Sequence, residues 1–257
     1  MTCINDVYDT LCEFAPLSLQ MEFDNSGFQF GRGKAPVRRV LLALDVTDAV
    51  VDEAIRLGAE LIVSHHPLIF NGPKCISDAD PGTERLLKLA ENRIAVISMH
   101  TNLDIAEGGV NDVLIRLLGA EPEHGIALDR DGCGRVGWLP APIPMADFLR
   151  MCKKKLKTKG LRYFDAGRPV EYLAVMGGSG GDCVDEACRL GCDTYGTADI
   201  KYHEFLRARE LGINLIDGDH FCTETPVIPV LRDRLAERFP SLRFFVSKSL
   251  RQTVRFC

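Results

Sequence analysis

The sequence predicts an α/β protein built from two similar lobes, and three observations carry that expectation. Arg39–Val46 (RVLLALDV) and the segment from Leu61 (LIVS) are continuous apolar runs, as expected of strands buried on both faces of a parallel sheet. Between them, Ala49–Leu57 reads as a helix, opened by Thr47 and Asp48 and closed by Gly58, which makes a βαβ unit with a right-handed crossover. Third, Val51-Asp52-Glu53-Ala54-Ile55-Arg56-Leu57-Gly58 recurs as Val184-Asp185-Glu186-Ala187-Cys188-Arg189-Leu190-Gly191, matching at seven of eight positions with an offset of 133. Duplication of an α/β lobe accounts for the recurrence, and two such lobes would face each other across a cleft. Residues 1–125 are the expected first lobe and residues 126–257 the second, with the C-terminal segment packing back on the first.

Taken in order, Ile4, Val7, Tyr8, Leu11, Cys12 and Ala15 form a helical stripe that Pro16 ends. A turn at Asp24-Asn25-Ser26-Gly27 leads into alternating residues to Gly31. Beyond the first βαβ unit, residues 71–82 read as a loop, Glu84–Asn92 as a helix and Ile94–Met99 as a strand. That strand runs into His100-Thr101-Asn102-Leu103-Asp104, with Asp104 expected in a polar loop, and Val110–Leu118 follows as a helix. Glycine and proline crowd residues 119–144, which marks a boundary between halves. Met145–Leu156 is a helix with a basic, solvated end at Lys153–Lys155. Tyr172–Met176 is a strand, Gly177–Gly181 a turn, Cys183–Leu190 a helix, Glu204–Leu211 a helix and Ile213–Ile216 a strand. A last helix runs to Phe239, troubled at its start by Pro226 and Pro229, and Phe244–Val246 and Thr253–Phe256 read as closing strands.

The chain of 257 residues carries a net charge of −5, which counts against a general binder of nucleic-acid backbone. Apolar residues make up 46% and charged residues 26%, as in ordinary globular proteins. Neither a bilayer-spanning run nor a signal peptide is read, and the ten cysteines form no CxxC pair. Reduced thiols and a cytoplasmic location are therefore expected.

Five of the six histidines fall where a strand ends or a helix begins: His65 and His66, His100 with Asp104, Asp199 with His203, and His220 with Glu224. Neutral imidazole and carboxylate are the ligand set of Zn, Mn, Fe or Co. Adjacent residues on an extended strand point to opposite sides, so His65 and His66 are expected to serve two neighbouring ions rather than chelate one. His220 and Glu224 are four apart, and a helical turn would bring them to one face. Two ions about 3.5–4 Å apart can polarise a substrate oxygen and acidify a bridging water. The run Gly177–Gly181 has two readings: a plain turn, or an anion site in which the free N–H groups around Gly178, Gly180 and Gly181 and the following helix hold a phosphate.

Together, Asp24-Asn25-x-Gly27, Ser64-His65-His66-Pro67-Leu68-Ile69-Phe70, His100-Thr101-Asn102-Leu103-Asp104 and Gly218-x-His220-x-x-x-Glu224 resemble the GTP cyclohydrolase 1 type 2 homologue family, the Nif-three-like dinuclear-metal proteins. The resemblance runs nearly end to end. It implies two α/β lobes with mixed sheets flanked by helices, and a metal site in the cleft between them. It implies that His65, His66, Asp104, His220 and Glu224 hold two divalent ions (Zn, Mn, Fe, Co or Mg), that Glu224 bridges them, and that His100 lies in or beside their coordination. A ring-like homohexamer and hydrolytic opening of the guanine ring of GTP are also implied. Many relatives carry a basic residue where Thr225-Pro226 follows Glu224 here.

The function expected is hydrolysis of a nucleotide or related small molecule, with metal-activated hydroxide as nucleophile, Glu224 in the catalytic centre and His100 as proton shuttle. The alternative is a non-catalytic metal-binding or regulatory partner protein. Nucleic-acid binding through Lys153–Lys159 is the third reading, opposed by the acidic net charge.

Overall fold

The computed structural model describes residues 1–249 and 251–256. From the N-terminus the chain forms α1 (Ile4–Phe14), β1 (Gly27–Phe30), β2 (Arg39–Ala43), α2 (Asp48–Leu57), β3 (Leu61–Ser64), α3 (Pro81–Glu91), β4 (Ala95–Ser98), α4 (Thr101–Ile105) and α5 (Val110–Leu117). It continues through β5 (Glu121–Pro122), β6 (Arg135–Ile143), α6 (Met145–Lys155), β7 (Arg162–Phe164), β8 (Val170–Ser179), α7 (Val184–Arg189) and β9 (Thr194–Ala198). The last elements are α8 (Tyr202–Leu211), β10 (Asn214–Asp217), α9 (His220–Glu224), α10 (Val227–Arg238) and β11 (Arg243–Val246). Two compact units result, residues 1–106 with 228–251, and residues 107–227 with the tail from Gln252.

The first unit is a five-stranded mixed sheet in the order β1-β4-β3-β2-β11. Its centre is the parallel trio β2, β3 and β4, in which Val40, Leu41, Leu61, Ile62, Val96 and Ile97 are fully buried. Helix α2 packs Val50 and Ala54 against Leu41 and Ile62. It starts on Thr47, whose hydroxyl accepts from Val50 N–H, and stops at Gly58, which takes the left-handed conformation (φ 61°) that a glycine adopts without strain. The second unit is a six-stranded mixed sheet, β5-β6-β8-β9-β10-β7, with Phe148, Leu173, Val175 and Ile216 at its core.

Both units follow one plan. Three parallel strands are joined by two helices, and the strand before them lies antiparallel to the third: β1 on β4 and β7 on β10. The repeated octapeptides occupy equivalent places, ending α2 at Gly58 and following α7 to Gly191, both at positive φ. The expectation of two similar α/β lobes with mixed sheets is met.

Several local expectations are corrected. The glycine- and proline-rich stretch 119–144 holds β5 and β6, and β6 pairs with β8 from Arg135 to Trp138. Gly177 and Gly178 belong to β8 rather than to a turn. Asp104 sits on a short helix, not in a loop. Thr253–Phe256 forms no strand. No disulfide joins the described cysteines, and no helix among the described residues is long and apolar enough to cross a membrane.

Candidate metal centre

Strand register assembles the first unit's site. Ala43, Ser64 and Ser98 stand side by side across the parallel trio, so the residues just beyond them emerge at one edge. Those residues are Asp45, His65, His66 and His100. Ligands in open α/β sheets gather at this carboxyl edge.

The ladder of β3 ends at Ser64, so the strict alternation expected of His65 and His66 does not apply. Their ring centroids lie 4.9 Å apart, and those of His65 and His100 5.2 Å apart. One ligand atom from each of the three lies within 4.8 Å of the others. His65 is fully buried, while His66 and His100 are partly exposed.

Each imidazole is held by its Nδ1. The Nδ1–H of His65 donates to the Met99 carbonyl at 2.8 Å, that of His66 to Asp45 Oδ1 at 2.6 Å, and that of His100 to Asp24 Oδ1 at 2.7 Å. Carbonyls and carboxylates only accept, so these partners fix the tautomer and leave Nε2 as the lone-pair nitrogen of each neutral ring. Metal-binding histidines are anchored in this way. Burial would raise the Asp24 carboxyl, but hydrogen bonds from His100, Thr101 and Ser26 outweigh it and hold the group well below the usual carboxylate range.

Asp104 stands on α4, with its Oδ1 3.6 Å from His65 Nε2. An imidazole nitrogen facing a carboxylate at that distance suits a positive charge between or beside them, a proton or a metal ion. The donor set therefore fits a divalent metal.

The second unit repeats this logic. Helix α9 begins at Asp219, whose carboxylate accepts from Cys222 N–H. One helical turn sets His220 Nε2 3.2 Å from Glu224 Oε2, as the spacing of four predicted. His220 Nδ1–H donates to Asp199 Oδ2 at 2.7 Å. Without metal, the hydrogen bond to Glu224, helped by Asp199, raises the His220 pKa to about 9 despite partial burial. The site attracts positive charge, whether proton or metal. Asp199 holds φ 54°, a left-handed conformation costly for a side-chain-bearing residue.

The glycine run is filled by protein atoms. A Cβ at Gly178 would collide with Glu224 Oε1, one at Gly180 would meet the Tyr195 hydroxyl at 2.6 Å, and one at Gly181 would collide with the Glu204 carboxylate. The close approach of Gly178 gives Glu224 its space. At the repeat offset, Asp45 corresponds to Gly178: the position that anchors His66 in one copy makes room for Glu224 in the other.

Of the residues singled out from sequence, His65, His66, His100 and Asp104 gather in the first unit, and His220 and Glu224 in the second. His203 stands exposed on α8 beside Glu204, and the partner of Asp199 is His220. The sequence reading missed Asp45, and it gave Asp24 no role beyond its place in a motif. Asp45 had one usable signal, a carboxylate just past a buried strand neighbouring the one that ends in His65 and His66.

Comparison with known proteins gives a consistent picture. The family described as Duf34/NIF3 (NGG1p interacting factor 3) matches residues 2–252. A protein of Clostridium perfringens named GTP cyclohydrolase 1 type 2 homolog is 35% identical, the match covering 98% of this chain and 99% of the relative. One of the same name from Streptomyces coelicolor is 31% identical, over 97% of this chain and 93% of the relative. Among solved structures, a Staphylococcus aureus hypothetical protein superposes with a TM-score of 0.90 at 27% identity, covering 99% of each chain. A Bacillus cereus protein related to NIF3 reaches 0.93 at 24% identity, covering 100% of this chain and 99% of its own, a likeness of fold.

Proposed function

We propose, for a chain that belongs to the Duf34/NIF3 family, that it is a metal-dependent hydrolase of a nucleotide or related small molecule. The observation that carries the reading is the anchoring of four imidazoles through Nδ1 to oxygen acceptors, two of them with Nε2 facing a carboxylate. His65, His66 and Asp104 in the first unit and His220 and Glu224 in the second would hold two divalent ions, the number that the family motifs imply. Bound metal would supply a Lewis acid that polarises a substrate oxygen and lowers the pKa of a water.

The chain's own residues do the rest. Asp24 and Asp45 keep His100 and His66 in one tautomer. His100, with Nδ1–H committed to Asp24, offers Nε2 to take a proton from the attacking water and return it to the leaving nitrogen. Buried Glu224, seated against Gly178, brings negative charge to the cations. The nucleotide class comes from the name the relatives carry, and the homohexamer remains part of the proposal, checked by light scattering at six times the 28.4 kDa chain.

Emission spectroscopy of purified native protein and Glu224→Ala, with turnover of GTP and related nucleotides, tests the reading. The expected result is metal in the native protein, loss of most of it in the variant, and turnover at least a hundredfold lower. Turnover unchanged in Glu224→Ala, or metal-loaded native protein silent across nucleotides, phosphoesters and cyclic amides, overturns it; silence would favour the regulatory binding role.

A further inference from the structure

We propose that Phe70 is the stacking platform for a flat heteroaromatic ring of the substrate, set beside the imidazoles of the first unit. The inference rests on the hydrolase reading and names the substrate class for that site. Phe70 is 47% exposed, and its ring lies 6.3 Å from that of His100 with the planes at 86°. In that edge-to-face arrangement the imidazole lies against at most one phenyl face, and about half of the residue remains exposed.

A single exposed aromatic side chain is unremarkable. What sets this one apart is how firmly the chain before it is held. His66 O accepts from Ser64 Oγ at 2.9 Å, and Leu68 N–H donates to Ser98 Oγ at 3.4 Å. Ile69 N–H donates to Gln29 Oε1 at 3.2 Å, and Ile69 O accepts from Asn25 Nδ2 at 2.6 Å. Gln29 Nε2 in turn donates to Asn25 O at 2.6 Å, and Pro67 fixes its own φ. Both backbone polar groups of the residue before Phe70 are thus tied to side chains of one short segment.

That segment also positions His100. Asp24 accepts from the His100 ring, and its neighbour Asn25 donates its Nδ2–H to the Ile69 carbonyl. Two adjacent residues therefore set the phenyl ring and the imidazole relative to each other. A rigid aromatic face beside a reactive centre is the form expected of a preorganised site. Aromatic rings stack on any nucleobase because every base has a π-face.

The test uses the full chain loaded with metal. Calorimetry compares binding of GTP with binding of inorganic triphosphate, which has the phosphates but no ring, in native protein, Phe70→Ala and Phe70→Trp. Phe70→Ala should weaken GTP binding about tenfold or more, leave triphosphate binding and metal content unchanged, and be rescued by Phe70→Trp. The inference is overturned if native protein binds GTP no more tightly than triphosphate, or if both ligands weaken together. It is likewise overturned if GTP binding survives Phe70→Ala, and a changed oligomeric mass in that variant would assign the ring to contact with a second copy instead. These readouts are independent of turnover, so they separate this inference from the hydrolase reading, which stands or falls on Glu224→Ala.

Discussion

Replacing Gly178 with alanine tests whether the glycine run seats Glu224. Two costs apply. Gly178 has φ 68°, and alanine in the left-handed region costs about 1–2 kcal/mol. Its new Cβ would also collide with Glu224 Oε1 and lie 3.2 Å from Glu224 Cδ and 3.4 Å from His220 Cε1. Glu224 is 3% exposed, so the carboxylate has to leave its place for the methyl to fit. Gly212 supplies the control, with φ 67° and nothing within 4 Å of an added Cβ. Gly212→Ala should therefore show the backbone cost alone, lowering Tm by roughly 2–8 °C for a chain of this size, with metal content intact. Gly178→Ala should lower Tm further and lose metal. Scanning calorimetry and metal emission on the two variants decide the matter: equal metal content refutes the claim that Gly178 makes room for a ligand.

Two further outcomes are expected. Asp45→Ala removes the acceptor of the His66 Nδ1–H and should weaken metal affinity about 10–100-fold, read by competition with a coloured chelator; unchanged affinity would show that the ring needs no anchor. Glu53 accepts from Ser247 Oγ and from the N–H groups of Lys248 and Ser249. Burial would raise its carboxyl, but these bonds prevail and its pKa is lowered. The stabilisation is then present above the unfolded-state value near pH ~4.3 and lost as pH falls through the lower folded-state value. Glu53→Gln should cost about 1.5–3 kcal/mol at pH 7 and much less at pH ~2, measured by urea unfolding.

Much of the fold was legible because burial on both faces leaves a local mark. The runs at Arg39, Leu61 and Ile94 needed no partner to be read as strands, and the octapeptide repeat disclosed the second lobe. His220 and Glu224 were legible because helical spacing alone brings them together. What escaped notice depends on distant pairing. Residues 135–143 become a strand because β8 lies alongside, although Pro140 and Pro142 argue locally against one. Asp45 becomes an anchor only through the row Ala43–Ser64–Ser98. Thr253–Phe256 has the residue types of a strand but pairs with no strand among the described residues.

The edge strand Arg243–Val246, which lies parallel to β2, has a consequence for biosynthesis. Residues 107–227 are synthesised before Phe244 and Phe245, so the middle of the chain is made while the earlier sheet still lacks its border. Until Arg243–Val246 is made and released from the ribosome, the apolar rim Val40–Ala43 has no neighbour on that side, and a nascent chain stalled before residue 243 would expose an edge prone to aberrant pairing.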